Sequence, residues 1–369
     1  MDQSKREEIQ NLALQATKNK TRCSLGVSMG VGKTLIGLRH MQERYLNGDR
    51  KFLVVAPKLS IFTSWREEAA KFKLEHLLDH ITFTTYLSIT KQHVEHDCIY
   101  LDECHNLLYT HENYLLFYHG DILGLSGTPP RHSNSEKGIM VDRFCPVVYE
   151  YITDDAVDDK ILNDYRIIVH LLPLNTYKTH KVTTKTGGFV TSEREHYAYW
   201  TNQIEKTFSL GNKQKMRIMR MQGLMQYKTK ENYAKNFLLK NVDDKCIIFC
   251  NNTDQADRVC ENSYHSKNPD SEQNLEAFKQ GKFKCLSAVQ QLNEGVNIPN
   301  LKYGIILHAY SNERKSNQRI GRLLRLSPEE QSVIHILAYQ DTVDTEWVIS
   351  ALSDLDQSKI TWKNAEYNS

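Results

Sequence analysis

The sequence predicts an α/β protein built from two tandem units, each a parallel sheet flanked by helices. Three observations carry that prediction. The first half alternates short apolar runs with amphipathic stretches, the rhythm of strand and helix in a parallel sheet. The apolar runs are continuous rather than alternating in polarity, as strands covered on both faces require. After Lys245 the same rhythm returns. With 369 residues the chain is long enough for two units with separate cores.

The first unit is expected to span residues 1–152. Its candidate strands are Arg22–Val27, Lys51–Ala56, Ile81–Thr84, Cys98–Leu101 and Asp121–Leu125, and its candidate helices Lys5–Lys18, Lys33–Tyr45, Ile61–Phe72 and Asn106–Tyr118. The polar, acidic stretch Ile152–Lys160 reads as the junction, so the second unit is expected over 153–369. Ile167–Leu174 is its first expected strand. Gly187-Gly188, set between β-prone residues, marks a hairpin over Thr183–Thr191. Glu193–Lys240 reads as mainly helical, so residues 175–240 form a basic hairpin and helical insertion. Strands at Cys246–Cys250, Phe283–Ala288, Tyr303–His308 and Val333–Ala338 then alternate with helices at Thr253–Asn262, Ser271–Gln280 and Ser316–Leu324. A last amphipathic helix is expected over Thr345–Leu355.

Composition narrows the class. At 40% hydrophobic and 25% charged residues the chain reads as a globular protein. No apolar run approaches the 18 to 20 or so residues of a membrane span, and the amino terminus has no apolar signal core, so a cytoplasmic location is expected. The eight cysteines stand without CxxC or zinc-type spacing, as in a reducing compartment. Net charge is only +2, but Pro173–Lys240 holds thirteen Lys and Arg against four Asp and Glu. A basic segment in an otherwise slightly acidic chain suits a phosphate backbone, and equally suits a solvated helix surface.

The first chemical motif is Gly30-Val31-Gly32-Lys33-Thr34, after a predicted strand and at the start of a predicted helix. Glycines there let backbone amides turn toward phosphate oxygens, and the helix start adds positive potential. Lys33 would reach the β- and γ-phosphates of ATP, and Thr34 would offer its hydroxyl to Mg²⁺. The strict loop pattern asks for glycine where Val27 stands. The second motif is Asp102-Glu103, closing the Cys98–Leu101 strand. Beside a phosphate loop, Asp102 suits the metal and Glu103 suits orienting the attacking water. Alone, the pair would read as a solvated turn.

These residues resemble a superfamily-2 helicase or translocase across nearly the whole chain. The resemblance implies two RecA-like domains with a nucleotide cleft between them. Met29 to Thr34 looks like motif I, Asp102-Glu103-Cys104-His105 like motif II in its DECH form, and Ser126-Gly127-Thr128-Pro129 like the coupling motif III. Ala56-Pro57-Lys58 with Trp65, and Thr85-Tyr86, resemble the motifs that meet the nucleic-acid backbone. In the second unit Ile247–Asn251 resembles motif IV. Asn293-Glu294-Gly295-Val296-Asn297-Ile298-Pro299 resembles motif V, with Asn297 where many members carry aspartate. Gln318-Arg319-Ile320-Gly321-Arg322-Leu323-Leu324-Arg325 resembles motif VI. The short Ser-Gly-Thr-Pro motif and Met29-Gly30 lean toward phage DNA helicases, type I restriction enzymes and Swi/Snf-like ATPases. Gln3 stands at about the separation of the family's adenine-reading glutamine, although its flanking residues do not match.

The resemblance implies a DNA-driven ATPase with Lys33, Asp102, Glu103, Gln318, Arg322 and Arg325 as its catalytic set. Met29–Thr34, Gly295, Asn297 and Gln3 would line the nucleotide, and Ser126 and Thr128 would couple hydrolysis to movement. Arg322 and Arg325, three apart on one helix face, would neutralise the transition state from the second unit. Gly321 inside a helix, at a cost of up to about 1 kcal/mol, fits a close approach. Lys58, Ser60, Thr85 and Ser287 are the expected nucleic-acid contacts by motif position. Lys206–Lys240 is a candidate clamp whose Tyr227, Tyr233 and Phe237 either stack on bases or pack their own domain. The Thr183–Thr191 hairpin is a candidate wedge. The expected partner is single-stranded, forked or branched DNA, with RNA or unopened duplex as alternatives, and a monomer is the default. A scaffold with vestigial ATPase motifs is the reading from a different class, and the full set of catalytic residues argues against it.

Overall fold

The computed structural model describes residues 3–28, 30–130, 135–184, 187–241, 244–289, 298, 300–308, 330–353 and 355–365. The chain divides into two compact units between Asn163 and Asp164.

The first unit runs α1 (Gln3–Thr17), β1 (Arg22–Val27), α2 (Lys33–Leu46), β2 (Phe52–Ala56), α3 (Ser60–Lys71), β3 (Ile81–Thr85), β4 (Cys98–Asp102), α4 (Glu112–Phe117), β5 (Asp121–Ser126), α5 (Glu136–Phe144), β6 (Val147–Tyr151) and α6 (Thr153–Asp158). Its sheet has the order β3-β2-β4-β5-β1-β6, and every pairing is parallel. β2 and β4 are buried along their whole length, which accounts for their unbroken apolar sequence. The order matters for chemistry, because β5 separates β1 from β4. The loops leaving β1, β5 and β4 therefore stand side by side at one edge of the sheet, and ligands of open α/β sheets bind at the carboxyl ends of strands.

Two sequence expectations change here. Asn106–Tyr118 is not one helix: 3₁₀ turns at Cys104–Asn106 and Tyr109–His111 precede the short α4. Leu107 and Leu108 are extended, and the Leu108 amide donates to His111 Nδ1 at 3.0 Å. Leu107, Tyr114, Leu115 and Tyr118 still bury at helix-like intervals, which is why the periodicity misleads. The acidic stretch after Tyr151 is likewise no bare junction. Asp154 and Asp155 sit in the first turn of α6, where carboxylates favour a helix start. Ala156 and Val157 bury, so the division falls after Asn163 rather than near residue 152.

The second unit runs β7 (Asp164–Leu172), β8 (His180–Thr184), β9 (Gly187–Thr191), α7 (Glu193–Lys206), α8 (Leu210–Gln226), α9 (Thr229–Asn241), β10 (Cys246–Cys250), α10 (Thr253–Val259), β11 (Ser263–Tyr264), α11 (Ser271–Lys279), β12 (Cys285–Val289), β13 (Tyr303–Ile306), β14 (Gln331–Tyr339), α12 (Val343–Leu352) and β15 (Ile360–Asn364). Its parallel sheet has the order β11-β12-β10-β13-β14-β7-β15, and β8 and β9 form the expected antiparallel hairpin. The sequence reading missed β6, β11 and β15. β11 has two residues, and β6 and β15 are half-exposed edge strands without a continuous apolar run. The expected helix over Ser316–Leu324 lies outside the described residues.

The helical insertion is anchored by a buried polar hub. Glu193, at the start of α7, accepts from the Thr229 amide at 3.1 Å and the Thr229 hydroxyl at 2.8 Å. The neighbouring Lys230, with no solvent exposure, pairs with Asp344 of α12 at 2.5 Å. Burial lowers the Lys230 ammonium below its usual range, against the pull of Asp344.

Candidate active site

The expected phosphate loop begins where β1 ends. Gly30 and Gly32 have φ of 90° and 98°, a region that side chains disfavour. A Cβ on Gly30 would come within 2.8 Å of Leu162, and one on Gly32 within 2.9 Å of Gln10 Nε2. Gln10, buried on α1, donates to the Val31 carbonyl at 2.7 Å and so ties the loop to the helix beneath it. No side chain caps the start of α2, which leaves its first amides available to an anion. Lys33 opens that helix, and its Nζ lies 3.7 Å from Glu103 Oε1. Thr34 follows, partly buried.

The acidic pair arrives on β4. Asp102 is 6% exposed. Its Oδ2 accepts the indole N–H of Trp65 at 2.8 Å, and its carbonyl accepts the Tyr86 hydroxyl at 3.0 Å. Glu103 has φ of 53°, a left-handed conformation unusual for a residue with a side chain, which swings it away from the strand line. Burial alone would raise its carboxyl. Lys33, His105 and the Gly127 amide outweigh burial and hold it below the ordinary carboxylate value. Its Oε2 is buried, 3.4 Å from His105 Nδ1, and takes no hydrogen bond among the described residues.

β5 supplies the third loop, between the other two. The fully buried Ser126 hydroxyl lies 2.8 Å from His105 Nδ1 and accepts the Thr128 amide at 3.1 Å. A continuous polar path therefore joins Lys33, Glu103, His105, Ser126 and Thr128. The buried oxygen of Glu103 and the uncapped helix start fit a bound triphosphate and its attacking water. Among the described residues no group of three His, Cys, Asp or Glu could hold a metal ion. Mg²⁺ at phosphate sites takes most of its ligands from phosphate and water, so the two expected ligands, Thr34 and Asp102, would not by themselves form such a group.

Several expectations move. Trp65 and Tyr86, placed by motif position near the nucleic-acid track, are buried and hydrogen-bonded to Asp102 instead. Ser287 is fully buried and its hydroxyl donates to the Ala256 carbonyl at 2.9 Å, so it offers no surface contact. Lys58 is exposed, and Ser60 and Thr85 are partly so. Tyr227 is buried, Tyr233 donates to or accepts from His170 at 2.8 Å, and Phe237 packs on His335, so all three serve their own domain. Gln3 lies in the first turn of α1, and Gln10, further along that helix, reaches the expected phosphate loop. The sequence holds a signal for it: Gln10 shares the buried face of α1 with Ala13 and Thr17, at spacings of three and seven. Met29, Gly295, Asn297, Gln318, Arg322 and Arg325 lie outside the described residues.

Residues 1–131 match the family described as type III restriction enzyme, res subunit, which spans the phosphate loop, the acidic pair and the Ser126 loop. Residues 229–327 match the family described as helicase conserved C-terminal domain, which spans Gly295, Asn297, Gln318, Arg322 and Arg325. The chain belongs to the superfamily-2 helicases and translocases. Members of this superfamily are ATP-hydrolysing enzymes that act on nucleic acid. Among curated proteins, a DNA 3'-5' translocase named XPB2 from Sulfurisphaera tokodaii is 24% identical, over 91% of this chain and 82% of that protein. The helicase domain of Pyrococcus furiosus Hef has the same fold, with a TM-score of 0.54 at 14% identity over 94% of this chain and 97% of that one. The type ISP restriction-modification enzyme LlaBIII, solved bound to DNA, gives 0.60 at 15% identity over 99% of this chain and 31% of that one. A fragment of a type I restriction HsdR subunit from Vibrio vulnificus gives 0.60 at 17% over 96% and 67%. At these identities the structural matches show the superfamily-2 fold alone.

Proposed function

We propose that this superfamily-2 chain is an ATP-dependent DNA helicase or translocase, coupling hydrolysis to movement along DNA with strand separation or branch migration. The observation that carries the reading is the path from Lys33 through Glu103 and His105 to Ser126. Lys33, Glu103, His105 and Ser126 stand in one hydrogen-bonded and ion-paired group, which supports giving them phosphate binding, water activation and coupling. In this reading the amides of Gly30–Lys33 cradle phosphate oxygens and Lys33 leaves Glu103 for the γ-phosphate. Glu103, freed of its lysine, orients the attacking water. Thr34 and Asp102 hold Mg²⁺, which when bound neutralises charge on the β- and γ-phosphates. By motif position Gln318, Arg322, Arg325, Gly295 and Asn297 are further candidate nucleotide residues. Lys58, Ser60 and Thr85 contact the DNA backbone without reading sequence.

The name of the Sulfurisphaera relative favours translocation on DNA as the shared activity. ATPase rates should be measured with single-stranded DNA, forked duplex, a four-way junction, blunt duplex and RNA, alongside strand release. Stimulation and release with forked or branched DNA are expected. Stimulation by blunt duplex without release would make the chain a duplex translocase, preference for RNA would reassign its substrate, and no turnover with any of them would overturn the proposal. Lys33→Ala and Arg325→Ala should each remove turnover while DNA binding persists. Removing residues 185–186, which lie between β8 and β9 in the sequence, tests the candidate wedge, because unwinding should fail while DNA-stimulated ATPase continues.

A further inference from the structure

Among the described residues of the second unit, the most exposed large apolar side chain, Phe208, stands with the exposed Leu210 at the turn between α7 and α8. The two helices pack together as a hairpin. Its base is fixed by the His196–Tyr227 contact at 2.9 Å and by Trp200, whose indole donates to His196 at 3.1 Å. Higher up, Arg220 donates to Thr201 at 3.1 Å. The link between the helices is short and held, since Thr207 closes back on the Gln203 carbonyl at 2.7 Å and the Lys213 amide reaches the Ser209 carbonyl at 2.9 Å. On this built turn Phe208 is 99% exposed and Leu210 is 85% exposed. Ile218 and Met219 continue a partly exposed apolar strip along α8. A phenyl ring presented wholly to water by an ordered turn gives up its burial free energy, which marks a contact surface rather than a packing residue.

Charge decides what meets that surface. From Lys206 to Lys230 the sequence has seven Lys and Arg and no Asp or Glu. Lys230 is buried and Arg220 is engaged within the hairpin, whereas Lys206, Lys215 and Arg217 are exposed. An exposed aromatic apex on a cationic stem matches unpaired nucleic acid, which offers a phosphate backbone to the stem and base faces to the ring. We propose that the α7–α8 hairpin is a strand-engaging pin, with Phe208 stacking on the first unpaired base of a DNA fork and Lys206, Lys215 and Arg217 holding the adjacent phosphates. This rests on the DNA-acting function proposed above and adds a contact site that no helicase motif in the chain supplies. The β8–β9 hairpin packs at the base of this stem through His180, which contacts both His196 and Tyr227, so it supports the pin.

The test is equilibrium binding of the full chain to a forked DNA carrying 2-aminopurine at the first unpaired position, with blunt duplex alongside. Wild type should change the 2-aminopurine emission on binding the fork. Phe208→Ala should lose that signal and weaken fork binding about tenfold, the scale of one base–aromatic stack. Phe208→Trp should restore both. Lys215→Ala and Arg217→Ala should weaken binding and each reduce the salt slope by about one. Leu239→Ala, at a residue 86% exposed on α9, should change nothing. Full fork affinity and an intact 2-aminopurine signal in Phe208→Ala would overturn the pin. So would a wild-type dimer that Phe208→Ala dissociates, because the apex would then be a contact between copies of the chain. A wild-type chain that binds no DNA would sink the proposed function itself, a distinct result from a binding-competent chain indifferent to Phe208.

Discussion

Glu103 concentrates the residue-scale chemistry. Its carboxyl is held below the ordinary carboxylate value by Lys33, His105 and the Gly127 amide despite burial. A carboxyl with a depressed folded pKa stabilises the fold above its unfolded value and loses that contribution as pH falls through the folded one. In the free enzyme Glu103 is therefore ionised throughout the neutral range, and the kcat/KM–pH profile, which reports the free enzyme, should show no acidic limb belonging to it there. Glu103→Gln should lower kcat at least about a hundredfold while ATP still binds, checked by turnover beside nucleotide titration. Trp65 tests the other carboxylate. Trp65→Phe keeps most of the buried ring but removes a hydrogen bond to a charged group, an interaction of about 1.5–3 kcal/mol. The Mg²⁺ concentration at half-maximal turnover should rise, whereas a merely structural loss would lower Tm and leave that concentration unmoved. Gln10→Ala should raise the KM for ATP more than it lowers kcat, because Gln10 holds the Val31 carbonyl of the proposed phosphate loop and not a reacting atom.

At the scale of elements, β7 and β14 carry a pH-sensitive seam. His170 Nε2 and His335 Nδ1 lie 2.9 Å apart between these paired strands. Burial, with Lys363 nearby, lowers His170 to about 4. Burial, then His170 and Lys363, lowers His335 to about 3. Both imidazoles are neutral in the fold but take up protons in the unfolded chain near the usual histidine value. Stability is therefore full above about pH 6.5 and declines as pH falls from there toward the folded values, since the unfolded chain then binds more protons. Thermal melts at decreasing pH should show this loss, and His335→Leu should flatten it. The same scale explains the partial legibility of the helices. α3 reads correctly because Ile61, Phe62, Trp65 and Ala69 bury on one face, while Asn106–Tyr118 reads wrongly because turns and a short helix bury residues at the same interval. Periodicity records which residues face the core and not which hydrogen bonds lie between them.

For the whole molecule, two units with separate sheets predict unfolding that need not be two-state. The Lys230–Asp344 pair gives a way to address the second unit alone. Lys230→Ala strands a buried carboxylate and should cost about 3–5 kcal/mol, moving one denaturation transition and leaving the first unit's in place. Lys230→Met with Asp344→Leu should recover part of that loss, because replacing both charges removes the uncompensated one.

The sequence by itself determined the alternation of strands and helices, the phosphate loop and the acidic pair, because each is written in local spacing: apolar runs, glycines before a lysine, carboxylates closing a strand. It also placed Ser126 by motif order. Tertiary structure alone decided which side chains serve those motifs. Gln10 lies 21 positions before Val31, and Trp65 lies 37 before Asp102. Ser287 sits at a motif position yet spends its hydroxyl on a neighbouring carbonyl, and the aromatics of the basic stretch turn inward while Phe208 turns out. The physical reason is that a side chain's partner is set by which elements the sheet order brings together, and that order follows from the packing of whole faces and not from the residues on either side.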